Sequence, residues 1–152
     1  MALLFVGKTQ CPVCCEIIKS VHDAIGLPPF VFNPSSPLFK LSDSSLHKKC
    51  YQKLLSTPKV GQVLNLLSDF HKPENRICQV CDEQILEPED YIGWAYLADE
   101  DSPLYQFNFQ HFHRDHIKEW SRLEEFLFSL RKLDVDGKHP LKRLMNHVNS
   151  LV

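Results

Sequence analysis

The chain has 152 residues, a formal net charge of -2, 43% hydrophobic residues and 24% charged residues. That length suits one ordinary domain or two very small ones, and the composition is that of a folded globular chain. The near-neutral charge weighs against a chain-wide nucleic-acid binder, and no apolar run approaches the roughly 18–20 residues that span a membrane. The stretch Leu3-Leu4-Phe5-Val6 is too short for a signal-peptide core and has no basic residue before it, so a cytoplasmic location is expected. The 6 Cys and 8 His then point to metal binding or catalysis and not to disulfides.

In chain order, Cys11-Pro12-Val13-Cys14 is a C-x2-C knuckle. Strand-like pieces follow at Ile17-Ile18, Phe30-Val31-Phe32 and Leu38 to Leu41. His47-Lys48-Lys49-Cys50 is an H-x2-C pair, followed by helical sequence that Thr57-Pro58 ends. A connecting helix runs from Lys59 to His71, with Val60, Val63, Leu64 and Leu67 at helical spacing; such a stripe is expected to be core. The pattern then recurs. Cys78-Gln79-Val80-Cys81 is a second knuckle. Strand-like pieces lie at Ile85-Leu86, Tyr91 to Leu97 and Leu104 to Phe109, with a turn at Ala98 to Pro103. His113-Arg114-Asp115-His116 opens a helix that carries Leu123, Phe126, Leu127 and Leu130 and runs on or bends near Ser121. Asp134 to Gly137 reads as a turn, and Pro140 starts a last short helix through Leu141, Leu144, Met145 and Val148.

The gaps from knuckle to ligand pair are 32 and 31 residues, so each half carries one complete set of four zinc-type ligands. Cys11 and Cys14 lie 67 positions before Cys78 and Cys81, and His47 and Cys50 lie 66 positions before His113 and His116. Ser36-Pro37-Leu38-Phe39 matches Ser102-Pro103-Leu104-Tyr105. A fixed offset shared by ligands and apolar positions reads as an internal duplication. Zinc takes four tetrahedral ligands and prefers thiolate and imidazole. A C-x2-C turn brings two sulfurs to one ion, and a pair at i, i+3 does the same on the first turn of a helix. The helix N-terminus is expected to favour the thiolate of Cys50. The two expected zinc sites are therefore Cys11, Cys14, His47 and Cys50, and Cys78, Cys81, His113 and His116. Cys15 rivals Cys14, and His111 rivals His113. The repeat places His113 opposite His47 and His111 opposite Ser45, which favours His113 and leaves His111 as a surface or supporting residue. Buried reduced thiols are the plainer reading of the cysteines, and two matched knuckles weigh against it.

Knuckle, hairpin, then a helix with the second ligand pair resembles the treble-clef zinc-finger family, and its tandem use is similar to LIM-type and RING-type zinc modules. The resemblance covers roughly residues 5–56 and 73–133. LIM modules have a much shorter gap between ligand pairs, and RING modules interleave their ligands. The treble clef therefore carries over, whereas LIM or ubiquitin-ligase activity does not. The implied fold is α+β: two duplicated treble-clef zinc modules, 1–70 and 71–152, packed with additional helices.

Both ligand sets close with four protein groups, whereas catalytic zinc keeps an open position. No G-x-S-x-G, Walker-type or H-E-x-x-H motif is present. Charge is split unevenly: residues 1–70 carry +3 and residues 71–133 carry -6. Ile77 to His113 holds no Lys or Arg but has Asp82, Glu83, Glu87, Glu89, Asp90, Asp99, Glu100 and Asp101. The plain reading is a solvated surface; the functional one is a face for a basic protein partner. The leading expectation is a non-catalytic protein acting through protein–protein interaction, as an adaptor or as a toxin-neutralising immunity protein whose acidic face plugs a basic nuclease cleft. The alternatives are a nucleic-acid-binding zinc finger, supported by Lys48, Lys49, Lys53 and Lys59, and a zinc-dependent hydrolase, for which Glu83 or Asp115 would be the base.

Overall fold

The computed structural model describes residues 2–34, 36–133 and 141–151. The turn expected at Asp134 to Gly137, and Pro140, lie outside the described residues. Among those described, the fold is mixed α and β, with four α-helices and two small antiparallel sheets.

The first half begins with the knuckle, where Gln10 and Ile17 form an isolated antiparallel bridge. Strand β1 (Ala24–Gly26) pairs with β2 (Ser45–His47), placing Ala24 opposite His47. Helix α1 (Lys48–Leu55) follows at once, then α2 (Pro58–Phe70). Thr57-Pro58 supplies the break, because proline suits the first helical turn and pushes the residue before it out of the helical region. A Cβ at Gly61 would collide with the carbonyl of Leu55, so only glycine lets α2 pack this closely on the end of α1.

The second half repeats this plan. Ile77 and Gln84 form the knuckle bridge. Strand β3 (Tyr91–Trp94) pairs with β4 (Gln110–His113), placing Tyr91 opposite His113. Helices α3 (Leu123–Leu133) and α4 (Leu141–Asn149) complete it. The correspondence reaches single hydrogen bonds. Cys11 and Cys78 donate from their amides to the carbonyls of Glu16 and Glu83, each at 2.9 Å. The backbone turns through positive φ at Cys15 (61°) and Asp82 (60°), and again at Asp43 (50°) and Phe109 (57°). The Ser42 hydroxyl accepts from the amides of Phe30 and Val31 at 2.8 and 3.0 Å. Asn108 Oδ1, 66 positions later, accepts from Leu97 and Ala98 at 2.7 and 3.2 Å.

Three expectations are corrected. Leu38 to Leu41 and Leu104 to Phe109 are not strands: Phe39–Leu41 and Tyr105–Phe107 are single 3-10 turns. In each, a serine before the proline accepts from the amide two residues on, Ser36 from Leu38 at 3.3 Å and Ser102 from Leu104 at 3.2 Å. The turn buries positions i and i+3, Leu38 with Leu41 and Leu104 with Phe107, which is a three-residue period. The strand expected over Tyr91 to Leu97 stops at Trp94, and Tyr96 instead bridges Val31 in parallel across the two halves. Finally, no α-helix starts at His113. That residue ends β4, a 3-10 turn covers Ile117–Glu119, and α3 begins only at Leu123. Trp120 adopts extended backbone (φ -67°, ψ 115°) and buries its ring among Phe107, Phe112 and Phe126, so packing overrides helical continuity.

Each half has its own core. In the second, Trp94 is 1% exposed, stacks on Phe126 at 4.7 Å and donates its indole N–H to the Phe107 carbonyl at 2.7 Å. A large apolar ring with a satisfied polar tip suits such a centre. On α3, the stripe Leu123, Phe126, Leu127 and Leu130 is buried there. In the first half, Leu64 and Leu67 of α2 are buried, with Val60 and Val63 half-buried against the same cluster. That cluster also takes in Ala95 and Tyr96, while Phe32 reaches into the other core. Phe70 stacks on His111 at 4.3 Å across the same seam.

Candidate metal centres

Each centre is built where a knuckle turn faces the end of a hairpin. In the first, Cys11 and Cys14 come from the knuckle, His47 from the last residue of β2 and Cys50 from the first turn of α1. In the second, Cys78 and Cys81 come from the knuckle, His113 from the last residue of β4 and His116 from the turn that follows. Antiparallel pairing is thus what aims His47 and His113 at their knuckles. All ligand atoms of each group lie within 4.8 Å of one another. The structure therefore brings together each expected set of four, and each can hold a metal ion.

The distances fit a tetrahedral ion. Bonds of about 2.3 Å to sulfur and 2.0–2.1 Å to nitrogen imply a sulfur-to-nitrogen edge of about 3.6 Å. Nδ1 of His47 lies 3.4 Å from Cys14 Sγ, Nδ1 of His113 3.5 Å from Cys81 Sγ, and Nδ1 of His116 3.8 Å from Cys78 Sγ. The electrostatics point the same way. Burial opposes ionisation of Cys11, yet backbone N–H groups of Cys14, His47 and Val13 bring its thiol down to about 6. Cys78 is likewise opposed by burial and brought down to about 6 by N–H groups of His113, Cys81 and Val80. Cys50 behaves differently from expectation: burial, then the thiols of Cys14 and Cys11, push it up to about 11. The helix terminus does not outweigh this, because thiols converging on one point repel each other's charge. A divalent cation among them reverses that balance and ionises all of them.

Cys15 stands outside the first group, exposed and in the left-handed region, with its carbonyl accepting from Gln10 Nε2 at 2.6 Å. His111 is outside the second group and is not a surface residue: it is 6% exposed. Its Nδ1 lies 3.2 Å from the Tyr91 hydroxyl, and its carbonyl accepts the knuckle amide of Gln79 at 3.0 Å. Burial, then the charge of Arg76, pulls its imidazole down to about 4. Sequence reasoning gave Asp90 no role at the centre. Its carboxylate lies 3.8 Å from Nε2 of His113, on the side away from the ligating nitrogen. The amide of Arg114 donates to the Asp90 carbonyl at 2.7 Å and to its Oδ1 at 3.2 Å. At that separation the contact is a charge pair and not a hydrogen bond, and the carboxylate stands on the side where a ligating histidine's second nitrogen finds its outer partner. Only the β3–β4 register, which sets Tyr91 against His113, reveals it.

No family model, curated protein or solved structure matches the chain. Among the described residues, no helix is long and apolar enough to cross a membrane.

Proposed function

We propose that this chain is a non-catalytic protein in which two structural zinc ions hold a tandem treble-clef duplication, and that it acts by binding a protein partner with a basic surface. The observation that carries this reading is the pair of four-ligand groups. Thiolate and imidazole in a closed tetrahedron are the donors of structural zinc, and they leave no position for a reacting water. That weighs against the hydrolase alternative. In small modules, zinc binding supplies folding energy on the order of 10 kcal/mol, which suits halves of this size. The matched registers and hydrogen bonds of the two halves support duplication.

The acidic segment supports the partner class. Asp82, Glu83, Glu87, Glu89, Glu100 and Asp101 are all exposed. Among the described residues, only Glu100 of these six is in an ion pair, with Lys59 at 3.6 Å. An adaptor, or an immunity protein covering a toxin's basic cleft, would use such a face through steered encounter. The nucleic-acid reading retains one observation, the exposed Lys48, Lys49 and Lys53 on α1, while Lys59 is already engaged by Glu100. The test is to recover the partner on tagged chain from the native host and measure its association rate. Neutralising Glu87, Glu89, Asp99, Glu100 and Asp101 should slow association at low salt and leave the zinc content unchanged. A rate indifferent to salt and to these changes refutes the acidic face. Salt-dependent binding to DNA or RNA that is lost with Lys48 and Lys49 favours the alternative.

A further inference from the structure

A cavity of about 200 Å³ opens at the seam between the halves, walled by Val63 and Leu66 of α2 and by Tyr96, Tyr105 and Phe109 of the β3–β4 connection. A second, of about 160 Å³, shares Val63 and Tyr96 with it and extends to Leu38. Leu66 and Tyr105 are each 43% exposed at the mouth. The polar groups of the inner wall are committed, and the Gln62 amide and Tyr105 hydroxyl belong to exposed residues of the lining. The Asn108 side chain is spent on Leu97 and Ala98, and the Tyr96 hydroxyl donates to Asp99 at 2.7 Å. Small-molecule sites usually enclose about 300–1,000 Å³ and offer converging polar groups. This cavity is smaller, and its Asn108 and Tyr96 groups are spent, so it fits one bulky apolar side chain better than a whole ligand. Glu100 lines the first cavity and Asp99 the second, against Lys59, the one cation that lines both. The Lys59–Glu100 pair is exposed on both sides, at 67% and 57%, so an incoming cation exchanges with Lys59 at little cost.

We propose that this seam pocket is the anchor site for a peptide segment of the partner, one that inserts a single Phe, Leu or Met and carries Lys or Arg beside it to meet Glu100. The inference rests on the protein-binding reading above and narrows it to one pocket. It unites two features that otherwise stand apart, exposed apolar groups beside a seam and an acidic rim. A buried anchor supplies most of the affinity of such contacts, and rim charges supply specificity and association rate.

The probe is a displayed library of random 15-residue peptides, selected on the full zinc-loaded chain. Enriched peptides should share one Phe, Leu or Met within about three residues of Lys or Arg. Their affinity should drop at least tenfold with Leu66→Glu, and severalfold with Glu100→Gln. Tyr105→Ala, a second change at an exposed position, should also weaken binding, and zinc content and melting temperature show that each variant is folded. Enrichment of acidic peptides, no enrichment, or binding indifferent to both Leu66→Glu and Tyr105→Ala overturns the pocket. Basic peptides that ignore Leu66→Glu but weaken on neutralising Glu87 and Glu89 overturn the pocket while leaving the acidic-face reading intact. Self-association of the free chain that Leu66→Glu abolishes gives the pocket to a second copy and also overturns the proposal.

Discussion

Asn108→Ala is expected to destabilise the zinc-loaded chain by about 2–4 kcal/mol. The Asn108 side chain accepts from the amides of Leu97 and Ala98 at 2.7 and 3.2 Å and donates to the Ala98 carbonyl at 2.9 Å. Leu97 and Ala98 are 0% and 1% exposed, so truncation strands two buried N–H groups. Each orphaned donor costs about 1–3 kcal/mol; half-buried Asn108 leaves room for a water to recover part, which sets the upper end at about 4. Ser42→Ala removes the equivalent cap from the amides of Phe30 and Val31 and should cost about 2–3 kcal/mol on the same grounds. The assay is equilibrium denaturation in excess zinc, with metal content measured on each variant. Losses below about 0.5 kcal/mol in both variants, an ordinary surface value, would refute the claim that these polar caps organise the two connections.

Other changes probe the centres and the seam. Asp90→Ala should weaken metal binding at the second centre about 10- to 100-fold while leaving the first unchanged, read by competition with a chelator; equal affinities would remove Asp90 from any role behind His113. His111, held down at about 4 by burial and then by Arg76 and His71, refuses a proton that the unfolded chain accepts near 6.5. Its contribution is fully present above about pH 6.5 and is lost as pH falls toward 4. The urea midpoint of His111→Phe should therefore fall less between pH 7 and pH 5 than that of the unmodified chain; identical falls would contradict the burial argument.

The ligand groups were legible because metal chemistry is written in short spacings: two side chains three positions apart reach one ion whatever surrounds them. The apolar stripes of α2 and α3 were legible for a similar reason, since helical period shows in local sequence. The 3-10 turns at Phe39–Leu41 and Tyr105–Phe107 were not. A buried pair at i and i+3 with an exposed aromatic between them looks like strand alternation over so short a run. Strands β1 and β2, three residues each, are too brief to show a period at all. The position of His113 at a strand end, and the break before α3, depend on Trp120 joining a ring cluster with Phe107 and Phe112. Burial of His111 depends on Phe70, which lies far from it in sequence. Such contacts are made by tertiary packing and leave no local signature.

The proposal that two closed four-ligand centres each hold a structural zinc ion can be checked without the partner. Elemental analysis of freshly purified, reduced protein tests it most directly, alongside Cys78→Ser. The expected result is about two zinc ions per chain, about one in the variant, and loss of cooperative unfolding in the variant's second half. A reproducible content near zero or one in the unmodified chain, or a Cys78→Ser protein that keeps both ions and its melting temperature, would contradict it.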